Sequence, residues 1–298
     1  MGNFDVLTFN SYFFDLIITG LEDIPQLGMD LFGKSMSVQA GGTFNTVRAL
    51  HRLGVRVGWV CDFGNDLFSR FVLDEIRKEG VDTSLFRLHA KPVRSFSLSF
   101  SFSHDRGFIS YIDPPEPYDR SAYVLEHKPA ALLLCSLEFG PQSMALVEAA
   151  RCVGAKIYMD SQATEIALSE PGVKEMLAAV DVFMPNALEA CRLTGAENPE
   201  EAFRILSGLA PTLVVKSGPE GAMAAACGRR YASPGLKVRA VDTTGAGDCF
   251  NAGFIHGHLQ GMPIEACLRY GNICGGLSTT DYGTIAAPTL DELRQHLG

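Results

Sequence analysis

Between Val241 and Phe254 the chain reads Val-Asp-Thr-Thr-Gly-Ala-Gly-Asp-Cys-Phe-Asn-Ala-Gly-Phe, which sets an anion-binding turn beside a carboxylate. Gly245, Ala246 and Gly247 are too small to keep a ligand away from the backbone, and the residues from Asp248 onward read as a helix. A small-residue turn that opens a helix leaves N–H groups unpaired and turns the positive end of the helix dipole outward. Such a turn suits a phosphoryl oxygen. Asp248 places a carboxylate at the same spot, where the helix end is expected to keep it ionised. In a site that merely held an anion, this carboxylate would repel the ligand. The pairing makes sense when the carboxylate takes a proton from a nucleophile while the N–H groups hold the developing negative charge.

Three further clusters set polar groups at element boundaries. Gly41-Gly42-Thr43-Phe44-Asn45 stands where a polar segment turns into a helix. Asn45 falls in the first turn, where it can face a polar ligand, although a plain turn with a capping residue has the same letters. Asn186-Ala187-Leu188-Glu189 follows a strand and Pro185; its spacing puts both polar side chains on one helical turn and is also that of a capping box. Lys216-Ser217-Gly218-Pro219-Glu220-Gly221 closes another strand and forms either a wall for a nucleotide or a hairpin turn. Gly28-Met29-Asp30-Leu31-Phe32-Gly33-Lys34-Ser35 fits the P-loop pattern, but Pro25-Gln26 precedes it instead of a buried strand. An alternating, strand-like stretch follows it, and Met29, Leu31 and Phe32 are bulky for a phosphate cradle. Gly245 and Gly247 lack the third glycine of a dinucleotide fingerprint, since Phe250 occupies that place. His256 and His258 fall on different faces of one helix, which does not suit zinc.

The elements that must hold these residues follow from periodicity. Phe4–Phe9 reads as a strand, Thr43–Leu53 as a helix, Val55–Val60 as a strand, and Leu67–Lys78 as a helix with Phe68, Phe71, Val72 and Ile76 on one face. From Ala130 the rhythm becomes regular. Strands Ala131–Cys135, Lys156–Met159, Val182–Met184 and Leu213–Lys216 alternate with helices at Gln142–Val153, around Val173–Ala179 and within 186–208. A hairpin spans Gly221–Ala232, and alternating Leu236, Val238 and Ala240 predict a strand that leads into the anion turn. This alternation predicts an α/β fold with a mostly parallel sheet and helices on both faces. Ligands in such sheets sit beyond the carboxyl ends of the strands. Arg94–Ser103 sets Phe96, Leu98, Phe100 and Phe102 against serines, a strand with one wet face and so unlike a core strand of a parallel sheet. It is assigned with parts of 10–40 to a small β lid, built from about 11–38 and 90–112 of a single domain spanning 1–298.

The chain has 298 residues, 47% of them hydrophobic, enough for one large domain. A net charge of −9 disfavours nucleic acid and anionic membranes as partners. The eight cysteines include no C-x-x-C pair, and most, such as Cys61, Cys135 and Cys274, lie in apolar runs, which predicts reduced core thiols. No basic leader and no membrane-length apolar run are present, so a soluble cytoplasmic protein is expected.

Together these pieces resemble the ribokinase-like (PfkB) family of carbohydrate and nucleoside kinases. Gly41-Gly42-x-x-Asn45, continuing through Ala49, Leu53-Gly54 and Gly64-Asn65-Asp66, resembles its N-terminal signature. Asn186-x-x-Glu189 resembles its N-x-x-E motif, and Lys216-Ser217-Gly218 its strand-end nucleotide loop. Asp242-Thr243-Thr244-Gly245-Ala246-Gly247-Asp248-x-Phe250-x-Ala252-Gly253 resembles its C-terminal signature almost throughout. The resemblance runs from about Val6 to Leu297. It implies a three-layer α/β/α sandwich of nine or so strands with a β lid, and in-line transfer of the ATP γ-phosphoryl group to a hydroxymethyl oxygen.

By position, the resemblance makes Asp248 the general base, with the N–H groups of Gly245, Ala246 and Gly247 holding the transferring phosphoryl. Asn186, Lys216, Ser217, Gly218, Gly221 and Asn272 fall at ATP-binding positions. Glu189, with Asn186, is implied to organise Mg²⁺ through its waters. Asp242 and Thr244, with main-chain groups near Ser278 and Gly283, match positions that hold a potassium-like cation. Asp15, Gly41, Gly42, Asn45 and Glu138 fall at sugar-contacting positions. Asp160-Ser161-Gln162-Ala163 departs from an Asp-x-Asn-x-Arg run common in relatives, and Phe13-Phe14 and Pro114-Pro115 are also individual. From the family resemblance the acceptor is expected to be a sugar or sugar acid. A nucleoside is kept in view by Phe13, Phe14, Phe96, Phe100 and Phe102, whereas the intact Asp248 and Glu189 argue against a non-catalytic sensor. The half-wet lid offers an edge that can pair with a second copy as a homodimer.

Overall fold

The computed structural model describes residues 3–24, 27–102, 106–162 and 165–297. Pro25-Gln26, Ser103 and Ala163 lie outside the described residues. The chain opens with β1 (Val6–Thr8), β2 (Tyr12–Thr19) and β3 (Ser35–Gly42). There follow α1 (Thr43–Arg52), β4 (Val57–Trp59), β5 (Cys61–Phe63), α2 (Leu67–Glu79), β6 (Phe86–Leu88), β7 (Ser95–Ser101), β8 (Arg106–Ile112) and α3 (Arg120–His127). Strands and helices then alternate: β9 (Ala131–Leu134), α4 (Pro141–Cys152), β10 (Lys156–Met159), α5 (Val173–Ala179), β11 (Val182–Phe183), α6 (Ala187–Thr194), α7 (Pro199–Leu206) and β12 (Thr212–Lys216). The hairpin β13 (Ala222–Ala226) and β14 (Arg229–Ser233) precedes α8 (Ala246–Leu259), α9 (Ile264–Ser278) and α10 (Leu290–Gln295).

Eight strands form the main sheet, in the order β14-β13-β12-β11-β10-β9-β1-β4. Pairing is parallel from β12 to β4 and antiparallel only at the β12-β13-β14 edge. Ala131-Leu132-Leu133-Leu134 is buried along its whole length, as a strand covered on both faces must be. Leu133 joins one core, with Phe44, Ile76, Phe254 and Leu268, and Leu132 the other, with Leu146, Met176 and Phe203. The result is the expected α/β/α sandwich. Because the central strands are parallel, the residues after β1, β9, β10, β11 and β12 emerge along one rim.

A separate four-stranded sheet, ordered β3-β2-β7-β8, stands outside these layers. Its register places Asp15 beside Ser97 and Gln39, so these three share a face. Here the Phe/Ser alternation behaves differently from the wet-face expectation. Ser95, Ser97 and Ser99 are 2%, 8% and 5% exposed, and the intervening Phe96, Leu98 and Phe100 are only half-buried. The serines share the face of Asp15, which approaches Asp248 of the main body. On the opposite face Phe14 packs on Phe68 and Phe71 of α2, leaving the rest of that face largely uncovered.

The strand predicted at Leu236–Ala240 does not form; residues 234–240 are irregular. β14 is already the edge of the sheet and Pro234-Gly235 ends it, so the next residues have no strand to pair with. Their alternation has another origin, since Leu236, Val238 and Ala240 line a cavity. No helix among the described residues is long and apolar enough to cross a membrane.

Candidate active site

The turn at Gly245 reaches the first residue of α8 through a left-handed backbone (φ 75°), a conformation that favours glycine. A β-carbon there would also lie 2.4 Å from Thr284 Cγ2. The Ala246 N–H makes only a long 3.3 Å bond to Thr243 O. Asp248, in the first turn, opens onto a cavity yet is enclosed by protein. Its Oδ1 accepts a 2.7 Å hydrogen bond from Thr46 Oγ1, and the Asn45 side chain also acts to keep the carboxylate ionised. Burial first, and then the charge of Asp160, push this carboxyl up to about 6 against the pull of Thr46, Lys216 and Asn45. Here desolvation outweighs the helix dipole that was expected to keep Asp248 readily ionised.

Asp15 comes from the second sheet to the same place. Its carboxyl is pushed up to about 7, by burial and then by the charges of Asp248 and Asp242. It lies directly over Gly41, where a β-carbon would meet Asp15 Oδ2 at 1.9 Å. Two raised carboxyls facing one another thus bound the side of Asp248 towards β2.

The cavity measures about 460 Å³ and is lined by Asn186, Glu189, Lys216, Gly218, Gly221, the 245–248 turn and Asn272. Lys216 Nζ sits between the Asp160 oxygens at 2.9 and 3.0 Å and Asn251 Oδ1 at 3.1 Å. Asn186 and Glu189 do form a capping box: Glu189 N–H donates to Asn186 Oδ1 at 2.9 Å, and Asn186 N–H to Glu189 Oε2 at 2.8 Å. Capping and a place on the cavity wall therefore coexist in the same two side chains. Burial, and next the charge of Asp160, raise the Glu189 carboxyl. The far end is a slot of Leu236, Val238, Ala240, Gly275, Gly276 and Thr279, with Asn272 Nδ2 tied to Ser233 O at 3.0 Å.

Other predicted residues stand off this cavity. Ser217 lines a neighbouring one of about 680 Å³. Asp242 Oδ1 accepts from Thr244 N–H (3.0 Å) and Oγ1 (2.8 Å), and its Oδ2 from Gly283 N–H (2.8 Å), which joins the predicted cation-site groups behind the turn. Gly42, with φ 65°, precedes α1. Ser278 is buried and donates to Gly275 O. Glu138 is held by both Arg120 guanidinium nitrogens and by Ser143 Oγ, so its carboxylate is already engaged. Thr46, Arg48, Asn251 and Thr284 were not anticipated. Thr46 lies next to Asn45 and was within reach of the same reasoning, whereas nothing local in the sequence marks Thr284.

Comparison with known proteins agrees with this fold. Residues 19–291 match the family described as pfkB family carbohydrate kinase. Ribokinase of Haemophilus influenzae is 25% identical over a span covering 91% of each chain. The 2-dehydro-3-deoxygluconokinase of Bacillus subtilis is 29% identical over 87% of this chain and 86% of that protein. Among solved structures, Arabidopsis thaliana ribokinase complexed with ribose and ATP superposes with a TM-score of 0.82 at 20% identity, covering 99% of this chain and 98% of that one.

Proposed function

The chain belongs to the pfkB family of carbohydrate kinases, and we propose that it moves the γ-phosphoryl group of ATP to a hydroxymethyl oxygen of a sugar or sugar acid, with Asp248 as general base. One observation carries this reading: a carboxylate, held by Thr46 and facing Asp15, stands in the first turn of the helix whose N-terminal N–H groups form the anion turn. The acceptor hydroxyl lies between Asp15 and Asp248, loses its proton to Asp248 and bonds to the γ-phosphorus. The bond from phosphorus to the ADP oxygen breaks, leaving a phosphate ester and ADP. N–H groups of Gly245, Ala246 and Gly247 hold the transferring oxygens, a role in which positioning and charge stabilisation supply most of the catalysis.

ATP lies along the 460 Å³ cavity, its triphosphate towards Lys216 and Gly218 and its base in the slot near Asn272. The raised Glu189 carboxyl, pressed by Asp160, fits a divalent cation, since a hard cation relieves the repulsion between carboxylates. Glu189 and Asn186 would hold Mg²⁺ through its waters, and the ion, when bound, neutralises triphosphate charge. Asp242 and Thr244 would hold a monovalent cation, which would supply positive charge behind the turn. The four-stranded sheet acts as a lid over the acceptor, and its outer face pairs with a second copy of the chain. The same reading puts the enzyme in the cytoplasm.

The test is an ADP-release assay over sugars, sugar acids and nucleosides, with and without K⁺, on wild type and Asp248→Asn. The variant is expected to fold and bind ATP while losing ~10²–10⁴-fold in turnover. Near-normal turnover in Asp248→Asn would remove Asp248 from the role of base, and a preference for nucleosides would reassign the acceptor.

A further inference from the structure

A file of hydrogen-bond donors runs from a buried guanidinium to Asn45, beside Asp248. Arg48 Nη1, on α1, donates to Thr284 Oγ1 at 3.0 Å. The Thr284 hydroxyl donates to Asn45 Oδ1 at 3.0 Å. With that oxygen occupied, the amide nitrogen is the end of Asn45 left to act on Asp248, whose carboxyl the Asn45 side chain pulls down. A guanidinium can only donate and an amide oxygen can only accept, so the direction of both bonds is fixed. Thr46 Oγ1 adds a separate donor, to Asp248 Oδ1. Arg48, Thr284, Asn45 and Thr46 are 6%, 1%, 6% and 2% exposed, so water competes little and aligned bonds polarise one another.

The file is anchored at its far end. Arg48 Nε lies 3.3 Å from Glu79 Oε2, an ion pair without hydrogen-bond alignment. Glu79 also accepts from Arg52. Arg52 in turn donates to Ile285 O and Ala287 O at 2.7 and 2.8 Å, clamping the loop that carries Thr284.

We propose that Arg48 and Thr284 are positioning residues for phosphoryl transfer: through Asn45, and alongside Thr46, they pin the Asp248 carboxylate so that it presents a fixed oxygen to the acceptor hydroxyl. This rests on the reading of Asp248 as general base. Groups facing Asp248 from other elements are Asp15 on β2, Asp160 after β10, Glu189 on α6 and Lys216 on β12, with the Cys135 and Cys249 thiols beside it. The carboxylates favour its protonated form. Lys216 and the donor file favour the ionised one, so loss of a donor moves its titration to higher pH.

The experiment follows Asp248 without needing the acceptor. Carboxyl-¹³C NMR of aspartate-labelled enzyme is titrated for wild type, Thr284→Val and Thr284→Ser, with Asp248→Asn identifying the resonance. Thr284→Val is expected to move the Asp248 midpoint up by about half a pH unit or more, and Thr284→Ser to restore it. A folded Thr284→Val enzyme whose midpoint matches wild type overturns the proposal. If Thr284→Val does not fold, Arg48→Met and Thr46→Val supply the readout, and unmoved midpoints in both overturn it equally. Turnover by Asp248→Asn in the ADP-release assay, with D-ribose as the acceptor probe, would instead sink the base assignment while leaving the donor file measurable.

Discussion

Asp15 and Asp248 carry opposite consequences for stability and for catalysis. Their carboxyls are raised from an ordinary 3.8 to about 7 and about 6. A carboxyl that holds its proton more tightly when folded contributes stability that is fully present below its unfolded pKa. That contribution is lost as pH rises through the folded value. Ligand-free enzyme is therefore expected to melt at lower temperature at pH 8 than at pH 5, with the decline between about pH 4 and 7. Asp15→Asn should flatten this slope and raise the pH 8 melting temperature by about 2 °C or more, while weakening acceptor affinity. Calorimetry across pH checks it, and an unchanged slope in the variant would rule the pair out as its source. Asp248 could be picked from the sequence by type and by its place in a signature, and Asp15 through the family resemblance. Their mutual approach could not, because it depends on where the second sheet lands on the rim. Glu138 shows another limit of sequence reading: its engagement by Arg120 and Ser143 was not legible.

The entry to α8 concentrates element-scale constraints in one residue. Gly245 needs φ 75° and has Thr284 where a side chain would begin. Gly245→Ala should cost about 1–2 kcal/mol from backbone strain alone and, by displacing Thr284 and the turn N–H groups, lower kcat ~10²-fold or more. Denaturant melts and steady-state kinetics on one preparation test this; full activity in the folded variant would contradict it. Helices and parallel strands were readable because their apolar periodicity reflects burial by the main layers. The two misread stretches share a cause. Alternation reports that two faces differ, not what each face meets. At Leu236–Ala240 one face meets a cavity instead of a neighbouring strand, and at Ser95–Ser101 the small polar residues are the covered ones.

For the molecule as a whole, the uncovered side of the four-stranded sheet is the main apolar feature of the surface among the described residues. Met36 (69% exposed) and Val38 (41%) on β3, and Ile109 (59%) and Tyr111 (52%) on β8, share that face with Leu16, Ile18, Leu98 and Phe100. A contiguous apolar sheet face of this kind marks an association surface. The proposed dimer is tested by sedimentation velocity. Wild type should run as a dimer, whereas Met36→Asp with Ile109→Asp should run as a folded monomer; a wild-type monomer at micromolar concentration would refute it. At this scale the α/β class was legible from strand–helix alternation alone. How the sheet's face is used was not, since a solvent-facing and a partner-facing surface differ only in what lies outside the chain.

The contacts around Asp248 join residues 202 positions apart at Thr46 and, one link further, 239 apart between Asn45 and Thr284. Chains are synthesised from the N-terminus, so the donors on α1 leave the ribosome early and wait for most of the polypeptide. The anion turn emerges before Thr284 does. The turn is itself tied to Thr279 and Gly283, so on the donor-file reading the place for phosphate and the ordered base are completed together, and ATP-consuming activity appears only when synthesis is nearly finished.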